Sequence, residues 1–204
     1  MQNKVENIKV ALLGDEGVGK TSIISSYCNK KLNEFEGASH GSKMIKIGDK
    51  TVLLNLWDTV GQEKFISLGK IFYENAYIVC RVYDITNRES FNHLKTIWYP
   101  DLKKNGEKHT ILAVVGNKSD LYLQEQVEQD EGINFAEEIG ATFQLTSPLN
   151  NGGDLERFFK TLVEGYFSSE FRFRPEFIER NQRRAKSFKL GKEKTAEYCK
   201  KGCC

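Results

Sequence analysis

Gly14-Asp15-Glu16-Gly17-Val18-Gly19-Lys20-Thr21 is the stretch from which the rest of the sequence can be read. It follows an apolar run, Ile8 to Leu13, with the composition of a buried parallel strand, and it precedes a helical pattern from Ser22 to Asn29. Strand, then G-x-x-x-x-G-K-[ST], then helix is the full context of a phosphate-binding loop. The glycines let successive backbone N–H groups point inward at an anion, and the helix N-terminus behind them adds partial positive charge. On this reading Glu16, Gly17, Val18, Gly19, Lys20, Thr21 and Ser22 surround the phosphates. Lys20 neutralises the β- and γ-phosphates, and the Thr21 hydroxyl ligates Mg²⁺. The flanking strand and helix set aside the blander alternative of a glycine-rich connecting turn.

Outward from this loop, short apolar runs alternate with helical patterns. That alternation predicts an α/β fold, a doubly wound and mostly parallel sheet with helices on both faces. A polar loop, Lys30 to Ser42, leads to Met44–Ile47 and Thr51–Trp57, which alternate around Gly48-Asp49 as a hairpin does. Ala76 to Tyr83 reads as a buried strand, Glu89 to Asn105 as a helix, and Ile111 to Val115 as a strand. Glu131 to Ile139 reads as a helix, Thr142 to Leu145 as a short strand, and Leu155 to Tyr166 as a closing helix. No internal repeat is visible.

Two further motifs carry chemistry. In Trp57-Asp58-Thr59-Val60-Gly61-Gln62-Glu63, an Asp at a strand end beside the phosphate loop can hold Mg²⁺, directly or through water. Gly61 can give its backbone N–H to the γ-phosphate, and Gln62 can orient the attacking water. In Asn117-Lys118-Ser119-Asp120, directly after an apolar strand, the Asp120 carboxylate can accept from the N1 and N2 donors of guanine, which adenine lacks. In this order the three motifs point to a guanine nucleotide, magnesium, and a γ-phosphate sensor.

Composition bounds the rest. The 204 residues are 39% hydrophobic, enough for a core, and no run approaches membrane-spanning length. The first residues show no secretory signal, and Gln2 stands where myristoylation needs glycine. Five cysteines without paired spacing, two of them in apolar segments, imply a reducing, cytosolic environment. The net charge of +2 conceals an asymmetry: residues 172–204 hold 11 Lys/Arg against 4 Asp/Glu, or +7. The remainder has 19 basic against 24 acidic residues, or −5, which fits a tail meeting an anionic surface better than a nucleic-acid binder. The core pattern stops near Phe171, which sets a boundary between residues 1–171 and a basic tail, 172–204.

The sequence resembles the Ras-like small GTPases, and within them the Rab family. The pieces that carry the resemblance are Leu56-Trp57-Asp58-Thr59, Phe72-Tyr73-Glu74-Asn75-Ala76, Val82-Tyr83-Asp84-Ile85-Thr86, Ser90-Phe91, and the ending Lys200-Lys201-Gly202-Cys203-Cys204. Tyr83 to Phe91 is similar to the early-endosomal members. The resemblance implies a small G domain with a six-stranded sheet and a monomeric GTP/GDP switch with Mg²⁺ as cofactor. It also implies an exchange factor, an activating protein, Rab escort protein with geranylgeranyl transferase, GDI, and unidentified effectors. Cys203 and Cys204 resemble a double prenylation signal. One lipid chain binds membrane marginally and two bind it stably, so the implied location is cytosol and the cytoplasmic face of an intracellular, endosomal membrane. A Ras-type plasma-membrane switch would usually end in a Cys-a-a-X tail instead.

Departures from the family gather at three places. At the base, Ser147-Pro148-Leu149 replaces a Ser-Ala-Lys segment, and Pro148 has no N–H for guanine O6. Leu149 takes the place of a base-covering lysine stem, and Leu32 that of a flanking aromatic. These changes imply faster nucleotide exchange. At the γ-phosphate, Glu16 and Val60 imply slow intrinsic hydrolysis, although Gln62 completes the site. In the first switch, spacing from Lys20 makes Ser39 the expected Mg²⁺ ligand and γ-phosphate contact, with Ser42 as the alternative. The rival reading is a nucleotide-binding scaffold with negligible turnover, or a constitutively GTP-bound protein. His40, His93 and His109 show no metal spacing and read as ordinary surface or loop residues. Phe171, Phe173, Phe177 and Phe188 fit a helix packing on the domain, or a partner surface, better than RNA stacking.

Overall fold

The computed structural model describes residues 5–29, 40–58, 73–100, 110–149 and 153–168. Its sheet has six strands: β1 (Glu6–Leu13), β2 (His40–Ile47), β3 (Lys50–Asp58), β4 (Ile78–Asp84), β5 (Ile111–Asn117) and β6 (Thr142–Thr146). Their spatial order is β2-β3-β1-β4-β5-β6. Only β2 and β3 pair antiparallel, through the two-residue turn at Gly48-Asp49; every other neighbour is parallel. This is the doubly wound α/β sheet expected. The chain adds strands to one side of β1 and then to the other, which leaves a crevice at the carboxyl ends of the central strands.

The helices are α1 (Lys20–Cys28), α2 (Arg88–His93), α3 (Gln129–Glu138) and α4 (Gly153–Phe167), with a 3₁₀ segment at Ser119–Gln124. β4 is buried along its whole length, as a central strand covered on both faces must be. On one face Val79 and Tyr83 pack with Phe91, Leu94, Trp98 and Phe135. On the other, Tyr27 of α1 and Phe159 of α4 stack with ring centroids 4.4 Å apart.

Three expectations change. The helix after the phosphate loop begins at Lys20 rather than Ser22, because the αL geometry of Gly19 lets the chain turn directly into it. Asn29, also αL, ends it one residue sooner. β2 starts at His40, inside the stretch read as loop. As an edge strand its outer face needs no apolar alternation, so His40-Gly41-Ser42-Lys43 pairs despite its polarity. The helix expected from Glu89 is not uniform: after α2 it widens into a π turn, Leu94–Trp98, in which the Tyr99 N–H donates to the Leu94 carbonyl five residues back. Leu32, Ser39, Val60, Gly61, Gln62, His109, Cys203, Cys204 and the expected 171/172 boundary lie outside the described residues.

Candidate nucleotide-binding site

The site forms where the ends of β1, β3, β5 and β6 meet. β1 delivers the phosphate loop, in which Gly17 is favoured by φ (+78°) alone and Gly14 and Gly19 by space as well. At Gly14 (φ +148°) a Cβ would stand 2.2 Å from the Val82 carbonyl oxygen, and at Gly19 (φ +92°) 2.3 Å from Asn117 Nδ2. α1 then starts without a side-chain cap and without an acidic residue in its first turn. Its leading N–H groups are therefore left to an anion, which is the device that holds phosphate in such loops.

Lys20 is 4% exposed, and its Nζ donates to the carbonyls of Gly14 (2.8 Å) and Asp15 (2.7 Å). Beside it, the Thr21 hydroxyl donates to Oδ2 of Asp58, at the end of β3. Asp58 Oδ1 is buried and has no hydrogen-bond partner among the described residues. Burial raises the Asp58 carboxyl above its ordinary value, against the pull of the Thr21 hydroxyl and the Lys20 charge. A half-satisfied buried carboxylate next to a threonine hydroxyl is a fitting pair of oxygen donors for Mg²⁺. Glu16 is exposed, so its carboxylate is solvated. Gly17, Val18 and Ser22 lie in the loop and the first turn of α1, as expected.

β5 delivers the base-reading motif and ties it to the loop. Asn117 is 1% exposed, and its Nδ2 donates to the Val18 carbonyl at 2.7 Å. Lys118 takes a left-handed conformation (φ +64°), and its Nζ pairs with Asp84 Oδ2 of β4 at 2.5 Å. Asp120, in the first turn of the 3₁₀ segment, is partly exposed. From β6, Ser147 is buried, the Pro148 carbonyl accepts from Ser26 of α1 (3.2 Å), and the Leu149 N–H donates to Ser147 Oγ (3.3 Å). Leu149 is 83% exposed, free to cover an apolar face.

Ser42, the alternative to Ser39, lies within the β2–β3 hairpin opposite Asn55, and its hydroxyl donates to Asn55 Oδ1 at 3.0 Å. It is engaged in the ladder, three residues along β3 from Asp58. Asp15, His93 and Trp98 were missed. Asp15 is 8% exposed; its Oδ2 lies 2.6 Å from His93 Nδ1, and its Oδ1 accepts from Trp98 Nε1 at 2.8 Å. His93 is thus a contact of the phosphate loop and not an ordinary surface histidine. No motif spacing marks it, because the π turn creates the pairing.

The family model described as "Ras family" matches residues 9–167. Among curated proteins, the chain is similar to "Ras-related protein Rab5A" of Oryza sativa subsp. japonica. The two are 39% identical over 149 residues, which cover 71% of this chain and 73% of that relative.

Proposed function

The chain belongs to the Ras family of small GTPases as a Rab-like member, and from that premise we propose a membrane-traffic switch that hydrolyses GTP slowly and exchanges nucleotide readily. The observation that carries the reading is the meeting of Lys20, Thr21 and Asp58 at the start of α1, with Asp58 Oδ1 buried and unpartnered. Thr21 and Asp58 would hold Mg²⁺, which would supply neutralisation of phosphate charge. Lys20 stabilises charge on the γ-phosphoryl oxygens as water attacks the γ-phosphorus in line, and Gln62 orients that water. Gly61 contributes a backbone donor, and Ser39 remains the proposed first-switch ligand. Asp120 and Asn117 select guanine.

Ready exchange is supported by the geometry at the base. Pro148 lacks an N–H, and the next backbone donor, that of Leu149, is already committed to Ser147. A missing hydrogen bond to a buried acceptor costs on the order of 1–3 kcal/mol, or about 5- to 150-fold in affinity. The tail 172–204, with Cys203 and Cys204 prenylated, would place the switch on the cytoplasmic face of an endosomal membrane. Its partners would be an exchange factor, an activating protein, escort protein with geranylgeranyl transferase, GDI, and effectors.

The rival is a nucleotide-binding scaffold with negligible turnover. It is favoured by Glu16 and Val60 and by a shortened first switch, in which 19 positions separate Ser39 from Asp58. Nucleotide content of freshly purified protein, followed by single-turnover GTP hydrolysis in Mg²⁺, separates the two. Bound GDP with measurable hydrolysis supports the switch. Bound GTP without turnover, or an empty site, supports the scaffold.

A further inference from the structure

Two ring N–H donors grip one carboxylate of the phosphate loop. A carboxylate offers only lone pairs, so His93 Nδ1 carries the proton it shares with Asp15 Oδ2, while Trp98 Nε1–H serves Oδ1. His93 and Trp98 are five residues apart. On an α-helix, at 100° per residue, they would stand about 140° from each other and could not reach the same group. A turn that closes on the fifth residue, as the one at Leu94–Trp98 does, brings positions i and i+5 to the same side. The π turn is the reason both rings meet Asp15. Such turns occur frequently at functional sites.

The gripped residue matters because of its backbone. The Asp15 carbonyl, together with that of Gly14, accepts the Lys20 ammonium. We propose that His93 and Trp98 are positioning residues for Lys20: by holding both Asp15 oxygens they fix the two carbonyls that aim the ammonium into the phosphate loop. The proposal rests on the GTPase reading above. It assigns part of phosphate recognition to a helix that touches no phosphate. It also separates the two ends of the ligand, since Asn117 and Lys118 are held by other contacts.

The test is binding of GDP and of GMP, in Mg²⁺, to the full chain and to His93→Phe, Trp98→Phe and the double variant. The quantity read is the ratio of the GMP to the GDP dissociation constant, which reports the β-phosphate alone. The double variant is expected to lower that ratio about tenfold, a change of about 1.4 kcal/mol. GMP affinity stays within twofold of the parent. His93→Asn, which keeps an N–H donor, is expected to restore at least half of the loss on a logarithmic scale. A ratio unchanged in the double variant overturns the proposal. So does an equal weakening of GDP and GMP that His93→Asn does not relieve, since that is the signature of a purely structural role. If the parent chain binds neither GDP nor GTP, the GTPase reading itself fails, a result distinct from either.

Discussion

Asn117 Nδ2 donates to the Val18 carbonyl across 99 residues of sequence, at 2.7 Å, and so fastens the end of β5 to the loop between β1 and α1. The bond is buried, so its loss leaves an unsatisfied acceptor worth about 1–3 kcal/mol. Asn117→Leu is expected to raise the GDP dissociation constant about 5- to 150-fold and to lower the thermal midpoint as well. Equilibrium binding and thermal unfolding of the same preparation check this. A drop in affinity with no drop in midpoint would assign Asn117 to the base alone.

Asp58 couples metal, pH and stability. Its folded-state carboxyl is raised by burial, so without metal the folded chain holds that proton more tightly than the unfolded chain. The contribution is fully present below the ordinary Asp value of 3.8 and is lost as pH rises through the raised value. Metal-free Asp58→Asn is therefore expected to be more stable than the parent near neutrality, with the gap closing toward about pH 4. Denaturant midpoints across that range measure it. With Mg²⁺ and GDP present the order is expected to reverse, because the variant loses a proposed metal ligand. Chelation of Mg²⁺ should then speed GDP release from the parent and have much less effect on the variant.

Arg81 is a cation in the middle of β4, between Leu13 of β1 and Val114 of β5, with no exposed surface. None of its three nitrogens has a hydrogen-bond partner among the described residues, and burial pulls the guanidinium down to about 10. The Tyr99 ring, 5.0 Å away, offers a cation–π contact worth about 2 kcal/mol. Desolvation of a buried charge costs several kcal/mol, so the balance is unfavourable. Arg81→Met is expected to stabilise the chain by about 1–4 kcal/mol in urea unfolding. A destabilised variant would mean that the guanidinium has a partner worth more than its burial costs.

Cys80, fully buried in β4, has its thiol pushed up to about 12 by burial. It should resist alkylation at neutral pH in the folded chain and react fully in denaturant, unlike a thiol at the surface. Peptide mapping after iodoacetamide treatment distinguishes Cys80 from the other four cysteines.

The phosphate loop, Asp58 and the Asn117–Asp120 motif were legible because their chemistry needs fixed residue types at fixed offsets. The mostly parallel, doubly wound sheet followed from the alternation of apolar runs with helical patterns. What could not be read has physical reasons. His40 to Lys43 is polar and glycine-bearing, and only pairing with β3 makes it a strand. Phe91, Leu94 and Trp98 fall at i, i+3 and i+7, a spacing that an unbroken α-helix satisfies equally well, so the π turn left no trace in the pattern. The Asp15 clamp depends on that turn and was hidden with it. Arg81 sits in a run whose other members are apolar or aromatic, and nothing local announces its burial.

The π turn also carries a lesson about chain length. An α-helix brings i and i+4 to one side, about 40° apart, whereas this turn brings i and i+5 together. Removing one exposed residue inside it, Thr96, would convert five-residue spacing to four and leave the two rings over the same carboxylate. Removing a residue elsewhere in the helix would instead rotate everything downstream by about 100°. The turn is where this helix stores an extra residue while its site stays in phase.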